Sequence, residues 1–155
     1  MKLVNGLSGV SVPAVPASLK DRLFVATLCE LSEQELFLFT QAFVVLDMEL
    51  KKHPSPVPGW FTTVVFLNAS RVSVELDEDQ LGAYTTMIFI PMDKIRSRNA
   101  SHLLISQIIF EELAHCFWFI RDEHLVQDKV LDLLRYIYPA VRKSDVYNPN
   151  WTEHD

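Results

Sequence analysis

Glycine is scarce in this chain. Only four glycines occur among 155 residues, and none of them are suitably grouped for phosphate binding. A phosphate-binding loop needs several closely spaced glycines, so that backbone N–H groups can approach the phosphate. The sequence therefore argues against the common glycine-rich nucleotide-binding loops.

Positive charge is also in short supply. The chain has 14 Lys and Arg against 20 Asp and Glu, which gives a formal net charge of -6. Nucleic-acid binding normally needs a basic face that displaces the counterions of the phosphates. The one basic run, residues 94–98, is short and is predicted to be a solvated loop. We therefore expect no nucleic-acid partner.

Cysteine is nearly absent, and no export signal is evident. The only two cysteines, Cys29 and Cys116, lie in apolar segments that predict helices, where a thiol behaves as a small hydrophobic group. The first residues lack the continuous apolar core of a signal peptide. Because disulfides are typical of exported proteins, these features favour a reducing, cytoplasmic location.

Long uninterrupted apolar runs are missing as well. The most apolar stretch, residues 103–120, would be long enough to cross a membrane, but it contains a histidine and the two carboxylates of Glu111 and Glu112. Carboxylates near the middle of a bilayer are costly. We therefore predict a buried core helix here and no membrane partner.

What the chain does contain is the composition of a globular domain. Hydrophobic residues make up 49% of it and charged residues 22%. Its length is that of one compact domain, long enough to bury a core. We predict a loose N-terminal arm over residues 1–17, a single domain over residues 18–139 and an irregular tail over residues 140–155.

Two helix starts are predicted in the first third of the chain. Ser18 can cap a helix over residues 18–30. Ser32 and Glu35 form a capping box, and the apolar residues that follow recur every three or four positions, which predicts a long amphipathic helix. The prolines of residues 53–59 end this helix.

A small sheet and two more helices are predicted after the prolines. Residues 60–68, 71–76 and 84–91 are rich in β-branched or aromatic side chains and predict strands. Their short connections carry turn residues, which favours an antiparallel meander. A loop at residues 93–100 leads to the apolar helix, and a last helix is predicted over residues 122–138. This order predicts an α+β fold with a mostly antiparallel sheet.

Two polar side chains share one face of the apolar helix. At about 100° per residue, Glu111 and His115 project together from an apolar stripe, and Glu112 lies about 100° to one side. An unpaired charge buried there would be costly, so the carboxylate must be neutralised, paired or bound to a metal. The sequence leaves two interpretations open: an ordinary helical ion pair or a metal site.

The five residues from Glu111 to His115, which read EELAH, carry a resemblance to a known family. They resemble the His-Glu-x-x-His motif of zincin metallopeptidases, with Glu111 in place of the first histidine. The next segment, with Glu123, Val126 and a later Leu-Leu pair, resembles the ligand-glutamate helix of the ImmA/IrrE type.

The resemblance implies a minimal zincin-like domain and a set of roles. Glu111, His115 and Glu123 would hold zinc, Glu112 would act as general base on the metal-bound water, and Asp122 would orient a ligand by hydrogen bonding. The spacing from His115 to Glu123 is short for this class. Three residues are therefore alternative partners for the metal: Asp122, His124 and Asp128.

The function implied is metal-dependent hydrolysis of a peptide or protein. The strand predicted at residues 84–91 would then hold the peptide by main-chain hydrogen bonds. The alternative is a catalytically inactive interaction module of the same fold, because loss of the first histidine is the kind of change that produces one. A di-iron site built on Glu112 and His115 would need a second copy of the motif, which the chain lacks.

Overall fold

The computed structural model describes residues 2–3, 7–68, 72–75 and 86–147. The described residues form two small sheets and five α-helices, which confirms the α+β class. In chain order the elements are β1 (Lys2–Leu3), a 3-10 turn (Ala17–Leu19), β2 (Leu23–Thr27), α1 (Glu33–Lys52), β3 (Thr62–Leu67), β4 (Val74–Glu75), β5 (Met87–Pro91), α2 (Met92–Ser97), α3 (His102–Trp118), α4 (Glu123–Leu134) and α5 (Lys143–Val146).

The main sheet is parallel, so the predicted antiparallel meander is wrong. Its strand order is β2-β3-β5, with Val25 beside Val64 and Val64 beside Ile88. Parallel neighbours need a crossover of about a dozen residues or more. Helix α1 provides it between β2 and β3, and residues 68–86 connect β3 to β5. Strand β4 pairs antiparallel with β1 rather than with β3.

The helix predicted over residues 18–30 is also wrong. Only the turn at Ala17–Leu19 is helical, and Leu23–Thr27 forms an edge strand of the sheet. A short apolar run cannot be assigned to helix or strand by periodicity alone, and here the pairing with β3 decides. Ser18, which was expected to cap a helix, donates its hydroxyl to Asp47 of α1 at 2.5 Å.

Helix α1 agrees with its prediction. The capping box is present, since Ser32 Oγ accepts from Glu35 N at 3.2 Å and Ser32 N donates to Glu35 Oε2 at 2.8 Å. All residues of the predicted apolar stripe except its first, Leu36, are buried, and Phe39 packs on Phe66 of β3 with ring centroids 4.4 Å apart. Helix α1 therefore covers one face of the sheet.

Helix α3 is the buried core helix that the sequence predicts. Five of its apolar residues are completely buried: Ile109, Phe110, Leu113, Ala114 and Phe117. Among the described residues, no single helix is both long and apolar enough to span a membrane. Only α3 and α4 taken together reach such a length and composition, and they are bent by 114°.

The remaining boundaries differ locally from the predictions. Residues 93–100, predicted as a loop, include most of α2, and the predicted irregular tail contains α5. Helix α4 ends at Leu134 rather than at residue 138. The predicted strands at residues 71–76 and 84–91 fall partly outside the described residues, within which only β4 and β5 are seen.

Candidate metal centre

The three predicted ligands come from two helices that meet at a sharp turn. Glu111 and His115 lie one turn apart on α3, and Glu123 is the first residue of α4. Phe119 ends α3 in a left-handed conformation, with φ of 56°, and the axes of the two helices are bent by 114°. This bend returns Glu123 to the face of α3 that carries the other two, despite the short spacing along the chain.

The ligand atoms of Glu111, His115 and Glu123 form a compact group, which we call the triad. One ligand atom from each residue lies within 4.8 Å of the others. Ligands of one tetrahedral zinc ion, at bond lengths of about 2.1 Å, are about 3.4 Å apart. Because 4.8 Å is the upper limit of these separations, the side chains would have to approach by at most about 1.4 Å to hold such an ion, which a change of side-chain torsion angles can supply.

One nitrogen of the His115 imidazole is held by a backbone carbonyl. Its Nδ1 lies 2.7 Å from the carbonyl oxygen of Ile120. Because a carbonyl oxygen only accepts hydrogen bonds, Nδ1 must carry the hydrogen, and a neutral ring then keeps the lone pair of Nε2 free. Metal-binding histidines commonly use this arrangement, in which one ring nitrogen is fixed by a backbone carbonyl.

The negative charges around the triad have no cationic partner within the described residues. No Lys or Arg forms an ion pair with Glu111, Glu112 or Glu123, and Glu111 and His115 are not paired either. Burial raises the pKa of Glu111, and the charges of Glu123 and Glu112 raise it further. The ordinary helical ion pair is therefore not formed, and a bound cation would relieve this repulsion.

The other predicted site residues lie outside the triad. Glu112 is exposed beside Glu111 on α3. Asp122 caps α4 by accepting from Leu125 N at 3.1 Å, so it fixes the helix turn that carries Glu123. Of the alternative partners, His124 is exposed and Asp128 pairs with Lys143 at 2.9 Å. None of these joins the group of ligand atoms in the described part of the chain.

A cavity of about 670 Å³ adjoins the triad through Glu111. Its apolar wall comes from the end of β5, from α2, from the loop that follows α2 and from the first two turns of α3: Pro91, Ile95, Ala100, Leu104 and Ile108. His115, Glu123 and Glu112 do not line it. The cavity and the triad therefore share one carboxylate.

Six polar or charged side chains complete the described lining of this cavity: Lys94, Arg98, Gln107, Glu111, Gln127 and Tyr147. The side chain of Gln107 is almost fully buried. The hydroxyl of Tyr147 is buried, and no described residue bonds to it in hydrogen-bonding geometry, although Gln107 and Glu111 lie nearby. Burial raises the pKa of Tyr147, and the charge of Glu111 adds to this effect.

Most of these cavity residues were not singled out by sequence reasoning. One signal was present: Gln107 lies four residues before Glu111 and therefore on the same face of α3. Gln127 and Tyr147 reach the cavity from elements distant in sequence, so no local pattern indicates them. Residues 94–98, predicted as a solvated loop, instead place Lys94 and Arg98 on the cavity wall.

The chain matches no protein-family model, no curated protein and no solved structure. The function of the triad is therefore argued only from the chemistry and geometry of its residues.

Proposed function

We propose that the protein is a metal-dependent peptidase of zincin-like character, in which Glu111, His115 and Glu123 hold one zinc ion. The observation that carries this proposal is the convergence of the three ligand atoms to within 4.8 Å of one another. The hydrogen bond from His115 Nδ1 to Ile120 adds to it, because it leaves Nε2 available as a ligand.

The donor set suits a divalent ion. Two carboxylate oxygens and one imidazole nitrogen match the three-ligand pattern of catalytic zinc sites, which leaves one position for water or substrate. Two carboxylates also neutralise a doubly charged ion. Because oxygen-rich sites also bind manganese, metal-binding measurements have to include manganese as well as zinc.

The roles of this chain's residues follow from their positions. When bound, the ion would supply the Lewis acidity that activates water at neutral pH. Glu112, beside the triad, would accept the proton of the attacking water and return it to the leaving amine. The Ile120 carbonyl keeps His115 in one tautomer, and Asp122 fixes the start of the helix that carries Glu123.

One observation favours a second candidate, an inactive binding module of the same fold. Glu111 places an anionic ligand where zincins have a neutral histidine, and an added negative charge lowers the Lewis acidity of the metal. In this alternative the site binds metal weakly or not at all, and the fold serves to bind a peptide or protein.

Metal content tests the first part of the proposal. Protein purified without chelator should contain one equivalent of zinc by elemental analysis, and added zinc should raise its Tm. His115→Ala should lose both properties. His124→Ala is the matched control, because His124 is exposed on α4 and outside the triad. Absence of zinc from the wild type, with a Tm unchanged by zinc, manganese or nickel, would rule out the metal site.

Hydrolysis tests the second part. Glu112→Gln should keep its zinc but cleave peptides at least about 100-fold more slowly than the wild type, because it lacks the base. Glu123→Gln should lose the metal as well as the activity. If the zinc-loaded wild type cleaves peptides no faster than Glu112→Gln, the inactive module is the better description.

A further inference from the structure

The cavity beside the triad has the dimensions of a ligand site. Its volume of about 670 Å³ lies within the range of about 300–1,000 Å³ that is usual for small-molecule and cofactor sites. A central apolar wall with a few polar groups is also typical of such sites. Leu104 and Ile108 of α3 and Ile95 of α2 contribute apolar side chains to its lining.

Three polar side chains of the cavity, Gln107, Gln127 and Tyr147, are able to hydrogen-bond to a ligand. The Gln107 side chain is only 6% exposed, and the buried Tyr147 hydroxyl has no hydrogen bond within the described residues. Gln127 adds a second amide from α4. These groups both donate and accept, and they therefore suit a ligand that carries amides. An alkyl chain would leave the buried Tyr147 hydroxyl unpaired, which is unfavourable.

Two positively charged side chains line the α2 side of the same cavity. Lys94 and Arg98 lie one helical turn apart, both exposed, and neither forms an ion pair with a described residue. These two cations place positive charge on one side of the cavity, in a chain whose net charge is -6. They would attract a carboxylate, and Arg can bind it through two parallel hydrogen bonds.

We propose that this cavity binds the C-terminal end of a peptide with apolar side chains. Lys94 and Arg98 hold the terminal carboxylate, the α3 wall receives the apolar side chains, and Gln107, Gln127 and Tyr147 bond to the peptide amides. Because Glu111 belongs to both the cavity and the triad, the assignment of this peptide as a substrate rests on the proposed function. The binding step itself requires no metal.

Peptide binding to the chelator-treated, metal-free full chain tests the proposal. The probes are a fluorescein-labelled pentapeptide ending in Leu-Phe with a free carboxylate and the same peptide with an amidated C-terminus. Fluorescence anisotropy should show at least about tenfold tighter binding of the free acid than of the amidated peptide. The amidated peptide is expected to bind more weakly because it has no carboxylate to pair with Lys94 and Arg98. Equal affinity for the two peptides, or no binding of either, overturns the proposal.

Variants separate the contributions of charge and shape. Lys94→Ala/Arg98→Ala should bind both peptides with the same weak affinity, whereas Lys20→Ala/Lys51→Ala, which removes the same charge outside the described lining, should keep the preference for the acid. Ile108→Trp, which fills the cavity, should weaken both peptides. Retention of the acid preference in Lys94→Ala/Arg98→Ala would overturn the carboxylate assignment, whatever the stability of that variant.

Two further measurements distinguish a peptide from a fatty acid as the ligand, and failure of peptide binding from failure of the proposed peptidase activity. Decanoate has a carboxylate but no amides, so it should displace the labelled peptide at least about tenfold less well than the unlabelled free-acid peptide does. Equal competition would overturn the assignment of a peptide ligand in favour of a fatty acid. If the zinc-loaded protein cleaves the free-acid peptide and the amidated peptide at the same rate, the assignment of the peptide as a substrate is overturned. Acid-selective binding without any cleavage supports the binding proposal and counts against only the proposed function.

Discussion

Glu111 connects the triad to the cavity. It is half-buried, it has no cationic partner within the described residues, and its pKa is raised by burial and by the neighbouring carboxylates Glu123 and Glu112. A carboxylate in this setting destabilises the metal-free fold when it is ionised. The same carboxylate becomes favourable once a divalent cation neutralises it.

Removal of the Glu111 charge should therefore change how the stability of the metal-free protein depends on pH. A raised pKa in the fold means that the folded state favours the protonated carboxyl. The free energy of unfolding should fall as pH rises from the ordinary value of 4.5 through the raised pKa. Glu111→Gln should lose this fall.

Urea unfolding at several pH values in the presence of chelator is the measurement. Glu33→Gln is the control, because Glu33 is exposed in the first turn of α1, and it should retain the wild-type pH dependence. An identical pH profile for Glu111→Gln and the wild type would show that the Glu111 carboxyl does not titrate differently in the fold.

Replacement of Glu111 by histidine should strengthen zinc binding. Glu111→His restores the two-histidine pair of the zincin motif and replaces a strongly hydrated anion by a neutral nitrogen ligand. We expect zinc affinity to rise by about tenfold or more, measured by competition with a chromogenic chelator. No gain would mean that the third ligand is not Glu123.

At the scale of elements, helix α2 depends on one arginine. With six residues it is too short to be stable alone. Arg96 binds Glu35 of α1 with two bonds, Nε to Oε1 at 2.8 Å and Nη2 to Oε2 at 2.7 Å, and Nη2 also donates to the Glu30 carbonyl at 2.8 Å. This contact holds the cavity wall that carries Lys94 and Arg98 against α1.

Arg96→Met should destabilise the protein by about 1.5 kcal/mol, at the low end for charged hydrogen bonds because the arginine is partly exposed. The hydrogen bonds from Arg96 hold the pKa of Glu35 below its ordinary value. This contribution is therefore present above the ordinary Glu pKa and is lost as pH falls through the lowered value.

The measurement is again urea unfolding, here at pH 7 and at several acidic values. The difference between wild type and Arg96→Met should shrink as pH falls below about 4. Arg98→Met, which changes an exposed arginine two residues nearer α3, should have little effect at any pH. A difference that stays constant down to pH 2 would show that the Arg96–Glu35 pair is not what stabilises α2.

At the scale of the whole molecule, a buried polar network joins helices that are distant in sequence. Glu49 of α1 is only 4% exposed, and it accepts hydrogen bonds from Lys129 of α4 and from the hydroxyl of Tyr136. Burial alone would raise the pKa of Glu49, but these hydrogen bonds outweigh it, and the pKa is lowered. Lys129 also lies 4.2 Å from the ring centroid of Trp118. The network holds α4 against α1.

Lys129→Met should destabilise the protein by about 3 kcal/mol, because it leaves the Glu49 carboxylate buried without its cation. Glu49→Leu combined with Lys129→Met should be less destabilising than the sum of the two single changes, since no charge remains buried. Urea unfolding of the four proteins in this double-mutant cycle measures the coupling. Strict additivity would show that the pair is not coupled.

Local signals predicted the helices better than the sheet. The start of α1 is encoded within four residues by Ser32 and Glu35, and α3 is encoded by its continuous apolar content. The pairing of β2, β3 and β5 joins segments far apart along the chain. The apolar runs of β3 and β5 suit a parallel sheet, but a run of that length does not by itself specify its partners.

By itself, the sequence determined that Glu111 and His115 lie on one face of a buried helix, because helical periodicity is a local property of the backbone. The tertiary structure decided the rest. The left-handed residue Phe119 and the 114° bend bring Glu123 back to that face. The cavity gathers Lys94, Gln107 and Tyr147 from three separate segments. These contacts depend on how the helices pack, and packing is set by the whole chain.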